Sequence, residues 1–156
     1  MGIVENRIKD LGYELPAPVV PVANYVPAVL ASTAGLVYTS GHVARKSDGA
    51  FIVGKLGADI SVEDGYDAAK LCALDLIGTL KATIGELDRV TRIVKLLCMV
   101  NSTPDFGKHP LVANGASDFI VEVFGEKGSH SRSAIGVVDL PGGACIEIEL
   151  IAEVTG

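Results

Sequence analysis

Apolar and polar positions alternate along the chain in a pattern that predicts short strands around two helices. Residues 26–32 and 36–41 are rich in Val, Leu and Tyr, and they predict two strands joined by a tight turn. The nearly continuous aliphatic run at residues 90–100, interrupted only by Arg92 and Lys95, predicts a central strand.

Two segments carry the signals of helices. Ser61 precedes two acidic residues, so its hydroxyl can cap an orphan amide while the acids face the positive end of the helix. That helix is predicted to extend to about Gly85. A second helix is predicted at residues 111–124, directly after Pro110.

The last two strands, at residues 131–138 and 144–154, are expected to pair as a hairpin around Leu140-Pro141-Gly142-Gly143. In the second of them, side chains of alternating polarity point to opposite faces. One face carries Ile146, Ile148, Leu150, Ala152 and Val154, and the other carries Cys145, Glu147, Glu149, Ile151 and Glu153. The acidic face is therefore not expected to pack against helices.

These elements predict one α+β domain that spans residues 1–156, with two helices on one face of a mixed sheet. Residues 1–24 are expected to be partly irregular because they contain several Pro and Gly. Hydrophobic residues make up 49% of the chain, and the mean hydropathy is +0.41. So much apolar material favours burial of some surface against other copies.

Charge and length limit the classes of partner. The net charge of −6 and the scattered Lys and Arg residues argue against a nucleic-acid partner, because phosphate recognition needs a basic patch. The longest uncharged segment, at residues 15–44, contains four prolines and is not expected to cross a membrane as a helix. Without a recognisable signal peptide, the expected location is the cytoplasm.

Cysteines and histidines offer no metal or redox motif. The three cysteines, Cys72, Cys98 and Cys145, lie far apart and are expected to be buried free thiols. The three histidines lack the spacing of metal ligands, so no metal is expected. Ser129-His130-Ser131 resembles part of a hydrolytic triad, but neighbouring strand residues point to opposite faces and no orienting acid is evident.

Arg132 and Glu147 are the residues most suited to chemistry. If the C-terminal strands pair as a hairpin, a guanidinium and a carboxylate border the same surface, which suits a small substrate with its own carboxylate. The alternative is a structural ion pair between the two side chains.

Several strings resemble the RidA (YjgF/YER057c) family, in family order from about residue 25 onward. They are the C-terminal run at 132–141 with the strand at 146–152, the early strand at 36–42, and Thr103-Pro104-Asp105-Phe106 with Asn114. The resemblance implies a chorismate-mutase-like fold and a homotrimer with clefts between subunits. It also implies hydrolysis of small reactive enamines and imines, such as 2-aminoacrylate and its imine tautomer, to a 2-keto acid and ammonia, without a cofactor.

The resemblance also assigns roles to residues. Arg132 matches the arginine that binds the substrate carboxylate, and Glu147 matches the acid that orients water. Ser40, Asn114 and, two positions out of register, Tyr25 match residues that line the cleft. Two rival functions stay open: a regulatory trimer that binds carboxylates without turnover, and the endoribonuclease or translation-inhibitor role also attached to the family.

The chain departs from the family pattern at several positions besides Tyr25, and one of them is His130, two residues before the arginine, where the family usually has proline. Many members have a cysteine two residues after the arginine, where this chain has Ala134. The segment 107–111 is longer than usual before the asparagine, and its Lys108 and His109 either border the cleft or belong to an ordinary surface loop. The preferred substrate is not determined by the resemblance.

Overall fold

The computed structural model describes residues 2–18, 20 and 23–155. Within these residues the chain forms three α-helices and a six-stranded mixed sheet. The helices are α1 (Ile3–Asp10), α2 (Val62–Ile84) and α3 (His109–Phe124). The strands are β1 (Ala28–Ala31), β2 (Leu36–Thr39), β3 (His42–Val43), β4 (Val90–Asn101), β5 (Ser131–Val137) and β6 (Ile146–Val154).

The sheet order is β1-β2-β6-β4-β5, and β3 pairs with β6 beyond the end of β2. All pairs are antiparallel except β4 with β5, which are parallel and connected through α3. A parallel connection of this kind needs a long crossover, and α3 supplies it. The predicted α+β arrangement, with two long helices on one face of a mixed sheet, is confirmed.

Local signals predicted most element boundaries well. The side chain of Ser61 accepts a hydrogen bond from the backbone N–H of Asp64, and Gly85 ends α2 with a positive φ of 84°, as expected for a glycine cap. Helix α3 begins two residues earlier than predicted, because Pro110 occupies its first turn rather than preceding it.

Helix α1 was not anticipated within the segment 1–24, although the described residues after it are irregular as expected. Its start is capped by Asp88, whose carboxylate accepts hydrogen bonds from the backbone N–H groups of Ile3 and Val4 at 2.8 and 2.9 Å. Lys81 donates to Glu5 at 2.6 Å and so ties α1 to α2. Asp88 and Lys81 are distant from α1 in the sequence, so the local sequence pattern does not predict these contacts.

The core lies between the helices and one face of the sheet. The predicted apolar face of β6 is buried from Ile146 to Val154, while Glu149 and Glu153 on the other face are exposed. Cys145, which was predicted to share the acidic face, precedes β6 and is fully buried. Within the described part of the chain, no helix is long and apolar enough to cross a lipid bilayer.

The predicted hairpin between the two C-terminal strands is wrong. β5 and β6 are not neighbours, because β4 lies between them and pairs with both. The physical reason is that β4 is the longest and most continuously aliphatic strand, so the central position buries it best. The turn at residues 140–143 therefore connects two strands that are separated by β4, rather than two strands that pair with each other.

Candidate functional site

Arg132 lies on the edge strand β5 and reaches across to α3. Its Nη1 donates to Asn114 Oδ1 and to Ser117 Oγ, both at 3.0 Å, and its Nη2 donates to the carbonyl oxygen of Pro110 at 3.4 Å. We call Arg132, Asn114, Ser117 and Pro110 the arginine cluster. Asn114 and Ser117 are one helical turn apart, so both side chains project towards the same point on β5.

The arginine cluster contains a positive charge without a counter-ion. Among the described residues, the only ion pairs join Lys81 to Glu5 and Glu86. Arg132 is partly buried, and every group that accepts a hydrogen bond from it is neutral. The alternative of a structural Arg132–Glu147 pair is therefore not formed within the chain.

Glu147 lies on the opposite side of the sheet, between β3 and β4. It is paired with Val43 and with Met99, and its side chain is half-buried. Gly41 lies directly against its carboxylate, and a Cβ at position 41 would collide with Oε1. The absence of a side chain at position 41 therefore leaves room for the carboxylate in this position, and a Cβ there would displace it.

Ser40 and Tyr25 belong to the same region as Glu147. The Ser40 hydroxyl donates to the carbonyl oxygen of Val26 at 2.7 Å, which ties the segment before β1 to the end of β2. Tyr25 is 52% exposed beside that segment. We call Glu147, Gly41, Ser40 and Tyr25 the glutamate cluster.

Burial raises the pKa of Glu147 above the ordinary value of 4.5, and the negative charge of Glu149 raises it further. The structure gives it no hydrogen-bond donor among the described side chains that would oppose this shift. A carboxyl with a raised pKa exchanges protons more readily near neutral pH than an ordinary glutamate does.

His42 connects the glutamate cluster to α2 through hydrogen bonds of its ring. This role was not predicted from the sequence. The Nδ1 of His42 is 2.9 Å from the carbonyl oxygen of Ser40, and its Nε2 is 2.8 Å from the Thr79 hydroxyl on α2. Because a carbonyl can only accept, Nδ1 carries the proton and Nε2 accepts from Thr79. Burial lowers the pKa of His42, so the ring stays neutral.

The two clusters lie on opposite faces of the sheet, which corrects the predicted alignment of Arg132 with Glu147. Arg132 is in register with Leu96, whereas Glu147 is in register with Met99. Positions three apart on β4 point to opposite faces. The arginine cluster is also at the β5 edge, and the glutamate cluster is near the β1-β2 side. One chain thus contains two separate clusters, and Arg132 and Glu147 do not meet within it.

Other reactive groups are less suited to chemistry. The three cysteines are buried free thiols, as predicted. Burial raises the pKa of Cys98 to about 12 and that of Cys145 to about 11, so neither is a ready thiolate. Ala134, at the position where the family often has cysteine, offers no nucleophile. Among residues 2–18, 20 and 23–155, no three His, Cys, Asp or Glu side chains are grouped to hold a metal ion.

Comparison with known proteins decides the family. Residues 5–154 match the family model described as "YjgF/chorismate_mutase-like, putative endoribonuclease". This chain belongs to the YjgF family. The resemblance found in the sequence is thereby confirmed, and the sheet and helices described above are the family's chorismate-mutase-like fold.

Relatives of similar length match nearly the whole chain. Protein TCP17 of Trypanosoma cruzi is 42% identical over 97% of this chain and 94% of that protein. The crystal structure of Atu1372 from Agrobacterium tumefaciens, named as a protein with unknown function, is 38% identical, with a TM-score of 0.90 over 97% of this chain and 92% of that one. A Shewanella oneidensis structure named "putative endoribonuclease" is 34% identical, with a TM-score of 0.92 over 98% of this chain and 100% of that one.

Proposed function

We propose that this YjgF-family chain hydrolyses small carboxylated enamines and imines to a 2-keto acid and ammonia. The reaction takes place in a homotrimer, in clefts where the arginine cluster of one subunit faces the glutamate cluster of the next. The observation that carries the proposal is the separation of two complementary half-sites: a partly buried cation without an anion, and a half-buried acid without a cation.

Arg132 is equipped to hold the substrate carboxylate. Of the five N–H donors of its guanidinium, three are used by Asn114, Ser117 and Pro110. The two that remain, one on Nε and one on Nη2, are the pair that a bidentate carboxylate needs. Since the guanidinium is already held in place, little side-chain entropy is lost when the substrate binds.

Glu147 is suited to manage the water. In the proposed reaction, water attacks the carbon of the protonated imine: the new C–O bond forms as the C=N π pair moves onto nitrogen, and the Glu147 carboxylate takes one proton from the water. Glu147 then returns that proton to the amino group of the carbinolamine, the C–N bond breaks and ammonia leaves, and the carbinol O–H gives its proton to the Glu147 carboxylate as the C=O of the keto acid forms. A base with a raised pKa can both accept and return the proton near neutrality.

The proposal is tested with freshly generated 2-aminoacrylate, by following keto-acid release with and without the protein. Acceleration over buffer that is lost in Arg132→Met supports hydrolysis. No acceleration, with a small keto acid still bound at Arg132, leaves the non-catalytic carboxylate binder.

A second candidate is RNA cleavage, because the family description and the Shewanella oneidensis relative both carry the word endoribonuclease. The net charge of −6 argues against it, since RNA binding depends on neutralising phosphates. An RNA-cleavage assay over a salt titration distinguishes the two. Cleavage that disappears in Glu147→Gln would replace the hydrolase proposal.

A further inference from the structure

A cavity of about 410 Å³ lies where β4 and β5 end, beside the first turn of α3. Its polar walls are formed by Lys55, Ser102 and His109, and β5 contributes Gly136. None of these residues belongs to the arginine or glutamate cluster. From the sequence, His109 was expected either at the cleft border or in a surface loop, and in the structure it lies in the first turn of α3.

Lys55 brings a positive charge to this cavity. Its ammonium donates to Asn101 Oδ1 at 2.5 Å and to the carbonyl oxygen of Val138 at 2.6 Å, and both acceptors are neutral. Among the described residues Lys55 forms no ion pair; Asp59 accepts from the backbone N–H of Lys55 at 3.2 Å, and Asp139 accepts from that of Leu140 at 2.9 Å. An ammonium has three N–H donors, so one remains for a ligand.

Ser102 and His109 form the polar wall opposite β5. The Ser102 hydroxyl and His109 Nε2 are 3.0 Å apart and share a hydrogen bond. Gly136 faces this pair, and a Cβ there would collide with the imidazole and lie 2.8 Å from Ser102 Oγ. The missing side chain therefore keeps the pair accessible from the β5 side.

The cavity and the arginine cluster lie along the same face of β5. Arg132, Ala134 and Gly136 alternate on one face of β5, and four residues of strand span roughly 13 Å. The Arg132 side chain covers part of that separation, because its Nη2 reaches the carbonyl of Pro110, the residue after His109. Between the two charged ends, Ala134 is partly buried, and its methyl group packs against the core.

We propose that this cavity binds a second anionic group of the substrate, a carboxylate carried on its side chain. The inference rests on the proposed function and narrows it: the substrates would include imines of acidic amino acids. Arg132 would hold the carboxylate next to the imine carbon, and Lys55 with the Ser102–His109 pair would hold the distal one.

Binding of stable keto acids tests this without requiring turnover. Titration calorimetry of the wild type should show 2-ketoglutarate bound roughly ten- to a hundredfold more tightly than pyruvate, the range for one additional charge-assisted contact. Lys55→Met should abolish that advantage and leave pyruvate affinity unchanged. Lys46→Met removes one exposed lysine outside the cavity and should alter neither.

Since Lys55 also supports the fold through Asn101 and Val138, Gly136→Ala provides a second variant. It keeps every charge and places a methyl group against the Ser102–His109 pair, and Gly136 has no positive φ that alanine would strain. It should reduce 2-ketoglutarate affinity alone, with only a small change in the thermal unfolding midpoint, because the atoms that the methyl group meets are the ends of side chains that can shift.

The possible failures are distinct. Equal affinity for both keto acids, each lost in Arg132→Met, would overturn the subsite while the proposed function stands. Absence of binding by either acid would overturn both. Tight binding of inorganic phosphate that ignores Lys55 would also count against a carboxylate subsite at this position.

Discussion

The arginine cluster and the glutamate cluster are built in opposite ways. Arg132 is a charge held in place by three neutral acceptors, so its position is fixed and its charge is left for a ligand. Glu147 is held by close packing against Gly41, and its pKa is raised by burial. In the proposed function, one half serves for binding and the other for proton transfer.

The difference teaches why neither half suffices. A fixed guanidinium without an acid binds a carboxylate but activates no water, and a buried glutamate without a cation has no means of orienting the substrate. The halves are on opposite faces of one sheet, so in the proposed function they complete each other between copies of the chain. The largest tests therefore act on each half separately.

Glu147→Gln is expected to have the largest effect. Loss of the proton acceptor should lower kcat by about a hundred- to ten-thousandfold while KM changes little, since the arginine cluster is intact. Steady-state kinetics on 2-aminoacrylate measure this. Glu149→Gln, on the exposed part of the same face, is the matched control, and an equal loss there would contradict a specific role for Glu147.

Mixing two inactive variants tests the division of the site between subunits. In oligomers assembled from equal amounts of Arg132→Met and Glu147→Gln chains, about a quarter of the clefts should combine an intact arginine cluster with an intact glutamate cluster. Joint refolding should therefore recover about that share of wild-type activity. Refolding each variant alone is the control, and no recovery from the mixture would place the whole site in one chain.

The fold was predictable where the signal was local. The cap at Ser61, the glycine at position 85 and the alternation along β6 each depend on neighbours within a few residues, and each was read correctly. The pairing of β5 with β4 was not predictable in this way, because alternation determines which face a side chain occupies but not which strand lies beside it.

The site shows the same limit. The residue types at Arg132 and Glu147 could be read from the chain, but their placement on opposite faces follows from the inserted strand. His42 reaches Thr79 across 37 positions, and Lys55 reaches Asn101 across 46, so neither partnership leaves a local pattern. Ser117 was within reach, since it follows Asn114 by one helical turn.

His42→Asn should show how firmly the glutamate cluster is anchored. The asparagine amide can still donate to Ser40, but Thr79 loses its acceptor, so a cost of about 1 to 3 kcal/mol is expected in the free energy of unfolding. Urea denaturation at neutral pH measures this. If kcat/KM also falls in this variant, the hydrogen bonds of His42 help to position Gly41 against Glu147.

The same variant should change the acid dependence of stability. Because burial lowers the folded pKa of His42 below 6.5, its contribution is complete above that pH. This contribution to stability is lost as the pH falls from 6.5 through the lower pKa of His42 in the folded chain, because the unfolded chain binds the proton first. Unfolding midpoints at descending pH should therefore fall less steeply in His42→Asn; an identical slope would mean that the ring titrates normally.

The pH–rate profile is expected to show the smallest and most specific effect. Because burial, and then Glu149, raise the pKa of Glu147, the acid limb of kcat/KM should have its midpoint above 4.5. Glu149→Gln removes only the second cause, so it should shift that midpoint slightly downward. The shift should shrink in high salt, because Glu149 is exposed and its charge is screened. A midpoint that moves equally at all salt concentrations would show that the two carboxyls interact through buried structure rather than through solvent.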